Sequence, residues 1–285
     1  MLTTSKSVNY RNFGFIPRKN FKENVARWLF GEANLFKRLQ ARDIMDSLDL
    51  KSSDTVLDLG CANGYLSVEM AKLAKHVTAI DVNPYVKKIQ TPTFLQEKLT
   101  FIHGSGEQID LADASFDVVL ASEVLTMIEN PKSFLAEIHR LLKPGGRVVF
   151  VNGVGRPNIK EMYEKNPESI EKYREKYGAA VPRSYDDYIA KLTLSFGTAI
   201  HTLLSEEEYE ALISQSAFRI DSVVNSPKKI AADILFHEQF ERFVKTGSGL
   251  SSDWFAPKFF YLSFLSLFSR ERSKSGAIIT ATKVT

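Results

Sequence analysis

Hydrophobic positions recur at steps of three and four residues between positions 21 and 50, the spacing of one helical face. The period then changes, and short runs rich in β-branched residues alternate with further helical patterns. The runs predicted to be strands are residues 56–59, 77–80, 100–102, 118–121 and 148–151. Strands that alternate with helices indicate parallel βαβ units with right-handed crossovers, so we expect a sheet that is buried on both faces.

This alternation stops between residues 155 and 204, where charged residues and tyrosines form helical patterns without strands. It resumes with a predicted helix at 206–216 and predicted strands at 218–224 and 277–283. The segment between these two strands is longer than an ordinary loop, so we expect it to be functional or separately structured. We therefore divide the chain into a helical lead-in (1–50), a core (51–154 and 205–285), a helical cap insertion (155–204) and a second, apolar and aromatic insertion (225–275).

Composition narrows the class of protein. Of 285 residues, 44% are hydrophobic and 25% charged, which is typical of globular proteins and argues against disorder or a membrane-spanning bundle. The formal net charge of +3 is too small to indicate a nucleic-acid binder. A single cysteine, Cys61, excludes an internal disulfide and a multi-cysteine zinc site. We expect no metal site. With no signal-peptide run in the polar N-terminus, we expect a cytoplasmic protein.

A turn of small residues follows the first predicted strand and precedes a helix. It reads DLGCANG from Asp58 to Gly64. Its glycines let the backbone approach a ligand closely, and the helix N-terminus directs free N–H groups into the same space. Asp81 comes directly after the second strand, where a carboxylate can accept hydrogen bonds from both hydroxyls of a ribose. Together they indicate an adenosine-containing cofactor, whereas the turn alone also fits a plain tight bend.

Four motifs, in order along the chain, resemble those of a known family. They are the DLGCANG turn, the strand end at 80–83, the SFDVV segment at 115–119 and the LLKPGG segment at 141–146. The chain resembles class I S-adenosylmethionine-dependent methyltransferases, in the small-molecule and lipid branch that includes ubiquinone and menaquinone biosynthesis methyltransferases. The resemblance covers about residues 48–150. It implies an α/β, Rossmann-like seven-stranded sheet, mostly parallel with an antiparallel last strand, and S-adenosyl-L-methionine as the cofactor.

The resemblance also implies where the cofactor lies. The turn shapes the pocket for the methionine part, Asp81 holds the ribose and Val82 flanks the adenine, while the segment after the fourth strand faces the methyl group. The cofactor-binding residues it implies are Asp58, Gly60, Cys61, Ala62, Gly64, Asp81, Val82, Ser105, Gly106, Glu107, Ala121 and Ser122.

Two of these positions depart from the family's usual pattern. Ser105 stands where the family commonly has an aspartate, and its hydroxyl or the Gly106 backbone can replace part of that role. Ala62 stands where the motif more often has glycine, and an alanine fits there if its φ is negative. Both positions are therefore tests of the cofactor assignment.

Methyl transfer from a sulfonium is an in-line displacement that asks mainly for positioning and for exclusion of water. If the nucleophile is a phenol, an enol or an acidic carbon, a nearby base helps, and Glu123 and His201 are the candidates. The structural alternatives are a helix-entry residue for Glu123 and a neighbour of a helix cap for His201. We expect Cys61 to be packed rather than nucleophilic.

Residues 254–268 indicate the chemical class of the acceptor. They form the most aromatic stretch of the chain, and a basic segment follows them. The aromatic stretch is a cap helix, a pocket wall, or an interfacial anchor in which residues 254–274 contact a membrane surface peripherally. Each reading favours a hydrophobic small-molecule acceptor, such as a quinone precursor, a lipid or a polyketide.

Two other functions fit the same chain. A nicotinamide-dependent oxidoreductase also uses a glycine-rich turn and a ribose carboxylate, but Leu66 and Ser67 occupy the place of its third glycine. A non-catalytic protein that keeps the methyltransferase fold is the other. We expect no nucleic-acid partner, since residues 121–124 read ASEV rather than the Asn/Asp-Pro-Pro-aromatic signature of base methylation.

Overall fold

A computed structural model describes residues 20–22, 25, 35–89, 91–152, 157–196, 201, 204, 206–225, 240, 241, 243–245 and 277–284. The helices of eight or more residues in this part of the chain are α1 (Leu35–Leu48), α2 (Tyr65–Leu73), α3 (Pro131–Leu141), α4 (Pro157–Glu164), α5 (Pro167–Tyr177), α6 (Tyr185–Phe196) and α7 (Glu206–Ser214). The strands are β1 (Thr55–Leu59), β2 (His76–Asp81), β3 (Leu99–His103), β4 (Phe116–Ser122), β5 (Leu142–Asn152), β6 (Phe218–Asn225) and β7 (Ala277–Lys283).

The strands just named form one sheet in the order β3-β2-β1-β4-β5-β7-β6. Neighbours from β3 to β5 pair in parallel, and β7 runs antiparallel to both β5 and β6. The sequence-predicted α/β sheet, mostly parallel with an antiparallel last strand, is therefore confirmed. Each predicted strand segment falls inside an observed strand, and the runs at 56–59, 77–80, 118–121 and 148–151 are buried almost throughout.

Alternate residues of the central strands enter two different hydrophobic clusters. Leu57 and Leu59 of β1 pack on one face with side chains of α3 and α7. Val56 of β1 packs on the other face with side chains of α1 and α2. The sheet is thus covered on both sides, as parallel sheets generally are. Because both faces are covered, polar ligand-binding residues are expected in the loops at the carboxyl ends of the strands.

The helical lead-in is described chiefly as α1, and most of the remaining residues of the predicted helix at 21–50 lie outside the described part. Arg147 of β5 connects the carboxyl end of α1 to the sheet. Its guanidinium donates to the carbonyls of Leu48 and Asp49 at 2.7 Å each. Arg147 also pairs with Asp54 at 3.2 Å. These bonds satisfy carbonyls that a helix end leaves without partners.

The two insertions share a hydrophobic cluster. Helices α4, α5 and α6 supply most of it, and Phe240, Phe243 and Val244 of the second insertion complete it. The ring of Tyr188 meets Phe243 edge to face at a centroid distance of 5.0 Å. From the sequence, the two insertions were predicted as separate units, because neither residue pattern indicates which other segment it packs against. The aromatic stretch at 254–268 lies outside the described residues.

The helices described above include none that is long and apolar enough to cross a membrane.

Candidate functional site

The candidate site lies at the carboxyl ends of β1, β2, β4 and β5. The chain leaves β1 toward β2 and β3 on one side, and it continues through β4 and β5 on the other. Ligands of open α/β sheets bind outside the carboxyl ends of the strands at such a reversal. All the predicted site residues except His201 belong to β1, β2, β4 or the loops that follow these strands and β3.

The turn after β1 needs glycine at both of its ends. Gly60 has φ +70° and Gly64 has φ +75°, values that L-residues with side chains rarely adopt. A Cβ on Gly64 would lie 2.7 Å from the ring of Phe101. The Gly60 and Cys61 amides donate to the carbonyl of Ile80 at 2.8 and 3.0 Å. The turn is therefore bound tightly to the end of β2.

Asp81 joins the turn to the end of β2. Its Oδ2 accepts from the Ala62 amide and its Oδ1 from the Asn83 amide, each at 2.8 Å. A carboxylate oxygen accepts two hydrogen bonds, so each oxygen keeps a lone pair for a ribose hydroxyl. Beside it, the side chain of Val82 is 70% exposed and open for a flat ring to cover.

Ala62 does not meet the condition that the sequence analysis set for an alanine in this turn. Its φ is +47°, in the left-handed region, rather than negative. The bond from its amide to Asp81 and the tight turn hold it there. A non-glycine residue in that conformation costs about 1 to 2 kcal/mol, so the turn is strained at this point.

Ala62→Gly should raise the free energy of unfolding by up to about 1 kcal/mol, because relief of the strain exceeds the added entropy of the unfolded chain. Urea denaturation measures the change. Ala112→Gly is the matched control, since Ala112 is exposed and is not among the positive-φ residues, and it should lower stability. Equal losses in the two variants would contradict the strain at Ala62.

Asp58 is buried beneath the turn. Its Oδ2 accepts a hydrogen bond from the Ser67 hydroxyl of α2 at 2.5 Å. Burial raises the pKa of Asp58 to about 7, the Ser67 hydrogen bond opposes this, and the nearby Asp81 charge adds to it. A cationic ligand group beside Asp58 would compensate the buried negative charge.

Asp58→Asn should stabilise the free protein at pH 8 relative to the wild type, by up to about 4 kcal/mol, the free-energy equivalent of a pKa of about 7 rather than 3.8. The folded state binds this proton more tightly than the unfolded state. The contribution of Asp58 to wild-type stability therefore falls as pH rises from about 4 to 7, and the advantage of the variant shrinks toward pH 4. Unfolding midpoints across pH 4 to 8 test this, and a pH-independent difference would contradict it.

The loop after β3 lies against the end of β2. The Gly104 amide donates to the Asp81 carbonyl at 3.0 Å. The Ser105 hydroxyl accepts from the Glu107 amide at 3.2 Å, and Glu107 Oε1 accepts from the Asn130 amide at 3.3 Å. A Cβ on Gly106 would lie 3.1 Å from the ring of Phe134, so the loop packs closely on α3. These contacts place the predicted adenine-edge residues next to Asp81.

The segment after β4 forms the other half of the site. The side chain of Ala121 is buried in the hydrophobic cluster, so only its backbone can reach a ligand. Glu123 follows with φ +58°, and its amide donates to the Val151 carbonyl of β5 at 2.7 Å. The His201 amide donates to the Thr126 carbonyl at 3.0 Å. The two candidate bases therefore both lie at the ends of β4 and β5.

Four residues of this region were missed by the sequence reasoning. Burial raises the pKa of Tyr65, and the nearby Asp58 and Glu123 carboxylates add to the effect. A helix-start position after a ligand-binding turn was the signal for Tyr65. The other three, Val124, Thr126 and Asn152, carry no motif.

Cys61 packs in the core and is 6% exposed, with a pKa raised by burial, as expected for a structural thiol.

Comparisons with known proteins agree with this geometry. Residues 57–150 match the family model of a methyltransferase domain. The mitochondrial ubiquinone biosynthesis O-methyltransferase of Schizosaccharomyces pombe is 40% identical over 103 residues, which cover 34% of this chain and 37% of that protein. A thiol S-methyltransferase of Rattus norvegicus is 32% identical over 136 residues, which cover 44% of this chain and 55% of that protein. The matches thus span between a third and three fifths of these relatives' lengths.

A solved structure extends the likeness to nearly the whole chain. A geranyl diphosphate methyltransferase in complex with GPP and sinefungin superposes with a TM-score of 0.56 at 16% identity. The superposition covers 96% of this chain and 88% of that one. At this identity the likeness establishes the fold.

Proposed function

We propose that residues 57–150, which match the model of a methyltransferase domain, form a class I S-adenosylmethionine-dependent methyltransferase, and that the protein methylates an apolar small molecule. The observation that carries the proposal is the anchored carboxylate of Asp81. It sits one residue from an exposed apolar side chain and is tied to a glycine turn. This is the arrangement that an adenosine moiety requires.

The residues present fit S-adenosylmethionine. Asp81 would hold the ribose hydroxyls, Val82 would cover the adenine, and the loop after β3 would meet the edge of the ring. Asp58 lies beneath the turn, where a positive charge of the methionine part would stabilise its ionised form. The bound cofactor supplies a methyl group on a positively charged sulfur, which needs no further activation.

The protein's task is then to place the acceptor atom and to manage its proton. An acceptor that enters at the ends of β4 and β5 comes within reach of Glu123 and His201. Either side chain is suited to take the proton of a phenol or an enol as the new bond forms. The cap helices α4, α5 and α6 exclude water in this proposal.

The proposed acceptor class is supported by the names of relatives and by the aromatic residues of the two insertions. One relative is named for ubiquinone biosynthesis and another for thiol methylation, and both names point to small acceptors. The cap is rich in aromatic side chains, several of which pack against one another in a buried cluster. The proposed peripheral membrane contact of residues 254–274 concerns a segment outside the described part and stays a prediction.

The nicotinamide alternative fits the fold less well. In dinucleotide-binding sheets the strand order runs 3-2-1-4-5-6. Here β7 lies between β5 and β6 and runs antiparallel to both. The strand order therefore favours the methyltransferase reading.

The experiment that tests the proposal is transfer of a labelled methyl group. The protein is incubated with S-adenosylmethionine tritiated in its methyl group and with 2-naphthol, a hydroquinone or an alkyl thiol. Label should enter the organic phase with at least one acceptor, and Asp81→Ala should abolish this. If the protein binds the cofactor and labels none of the three acceptors, the small-molecule proposal is contradicted.

A further inference from the structure

Two buried polar side chains at the ends of β4 and β5 have no hydrogen-bond partner in the part of the chain that the structure describes. They are Asn152, whose amide nitrogen and oxygen are both unpaired, and Thr126, whose hydroxyl is unpaired. Their side chains are deeply buried, with residue exposures of 1% and 2%. Buried polar groups almost always have partners, so each such case requires an explanation.

The fold places the two residues on adjoining segments. Asn152 is the last residue of β5, and Thr126 lies in the short 3-10 helix Leu125–Met127 that follows β4. Glu123, between β4 and this helix, donates from its amide to the carbonyl of Val151, the neighbour of Asn152. The His201 amide bonds the Thr126 carbonyl from the cap side. Both polar groups therefore lie at the acceptor end of the proposed site.

The register of the sheet shows what lies beside Asn152. Val148 and Phe150 of β5 enter one hydrophobic cluster and Val149 and Val151 enter the other, so alternation puts Asn152 on the face of Phe150. Its partner in β7 is Ala277, which has a small side chain. The amide thus stands at the end of an apolar face, next to a position that leaves space.

Within the described part of the chain, the Asn152 amide and the Thr126 hydroxyl contribute no hydrogen bond that stabilises the folded state. A buried amide or hydroxyl without a partner loses its hydrogen bonds to water and receives none in return. A leucine and a valine of similar shape would fill the same volumes without that loss. A ligand that completes the missing bonds would remove the cost, because the protein has already buried the groups.

We propose that Asn152 and Thr126 bind a neutral oxygen function of the acceptor, a carbonyl or a hydroxyl, and so set the specificity of the site for oxygenated apolar molecules. This inference rests on the proposed methyl transfer. The Asn152 amide offers two donors and one acceptor, and the Thr126 hydroxyl offers one donor and an acceptor. An alcohol or a ketone matches these groups, whereas a thiol is a weak hydrogen-bond partner.

The test compares two probes of similar shape, benzyl alcohol and benzyl mercaptan, on protein saturated with S-adenosylhomocysteine. Dissociation constants come from NMR titration. The wild type should bind benzyl alcohol about tenfold more tightly than benzyl mercaptan, since a site built for hydrogen bonds rejects an analogue that cannot make them. Asn152→Leu and Thr126→Val should each reduce that preference by about fivefold or more. The control variant Thr280→Val changes a buried threonine in the middle of β7. It should retain the wild-type preference for benzyl alcohol.

A second readout needs no ligand. The unfolding temperatures of Asn152→Leu and Thr126→Val without ligands should equal or exceed that of the wild type, because each variant removes an unpaired buried group. A lower unfolding temperature would show that the group has a partner within the protein and would overturn the proposal. Equal affinity of the wild type for the two probes, or binding of neither at millimolar concentration, would overturn it too.

Failure of the underlying function gives a different result. If S-adenosylhomocysteine does not bind, the methyltransferase proposal fails, and the probes are titrated on the protein alone. A preference for benzyl alcohol that depends on Asn152 and Thr126 then still supports the oxygen site. If S-adenosylhomocysteine binds and the preference survives in both variants, only the oxygen site is refuted.

Discussion

Asp81→Ala is expected to weaken the binding of S-adenosylmethionine by about 100-fold or more. The amides of Ala62 and Asn83 hold the two carboxylate oxygens at 2.8 Å each, so that their remaining lone pairs serve the ribose hydroxyls. A hydrogen bond to a charged group contributes about 1.5 to 3 kcal/mol, so two of them contribute about 3 kcal/mol or more. Each 1.4 kcal/mol, approximately, is a factor of ten in affinity. Calorimetric titration measures the change.

Two further variants separate the lost ribose contacts from damage to the turn. Asp46→Asn removes the charge of an exposed carboxylate on α1 and should leave the dissociation constant unchanged. Asp81→Asn keeps one oxygen acceptor and should bind with intermediate affinity. Unfolding curves report whether each variant is folded. A folded Asp81→Ala protein whose dissociation constant stays within about threefold of the wild type would refute the ribose assignment.

Gly60→Ala is expected to lower the free energy of unfolding by about 2 to 5 kcal/mol and to impair cofactor binding. Its φ of +70° costs an L-residue about 1 to 2 kcal/mol. The new Cβ would also overlap Cγ2 of Val124, a stiff β-branched side chain. Overpacking of this kind costs about 1 to 3 kcal/mol more. Urea denaturation and calorimetric titration measure the two effects.

Gly145→Ala is the matched control for this variant. Gly145 has φ +72°, but a Cβ there would meet no atom within 4 Å in the part of the chain that the structure describes. It should therefore lose only the backbone part, about 1 to 2 kcal/mol, and keep cofactor binding. The double variant Gly60→Ala with Val124→Ala should recover part of the loss. Equal destabilisation by Gly60→Ala and Gly145→Ala would contradict the close approach of Val124 to the turn.

The fold was predictable because burial on both faces leaves a local trace. Apolar, β-branched runs such as residues 148–151 form strands wherever helices cover both sides of a sheet, and a short window reveals them. The antiparallel β7 is a different case, since its pairing with β5 joins segments far apart in the chain. The strand itself was predicted from its own pattern, whereas its antiparallel direction came from the family resemblance.

Other features could not be predicted from the sequence because they depend on the assembled structure. The positive φ of Ala62 follows from the bond between its amide and Asp81, which forms only once β2 lies beside β1. The packing of Phe240 and Phe243 onto the cap helices joins two segments whose patterns are independent. Asn152 reads in the sequence as a plain strand end, and only its burial without a hydrogen-bond partner among the described residues sets it apart.

The central claim is that the turn after β1 and Asp81 of β2 form an S-adenosylmethionine site. Calorimetric titration of the full chain with S-adenosylmethionine, S-adenosylhomocysteine and NADH tests it most directly. We expect saturable one-to-one binding of the first two ligands, binding weakened by about 100-fold or more in Asp81→Ala, and no heat of binding for NADH. Binding of NADH alone would contradict the claim and would assign the site to hydride chemistry.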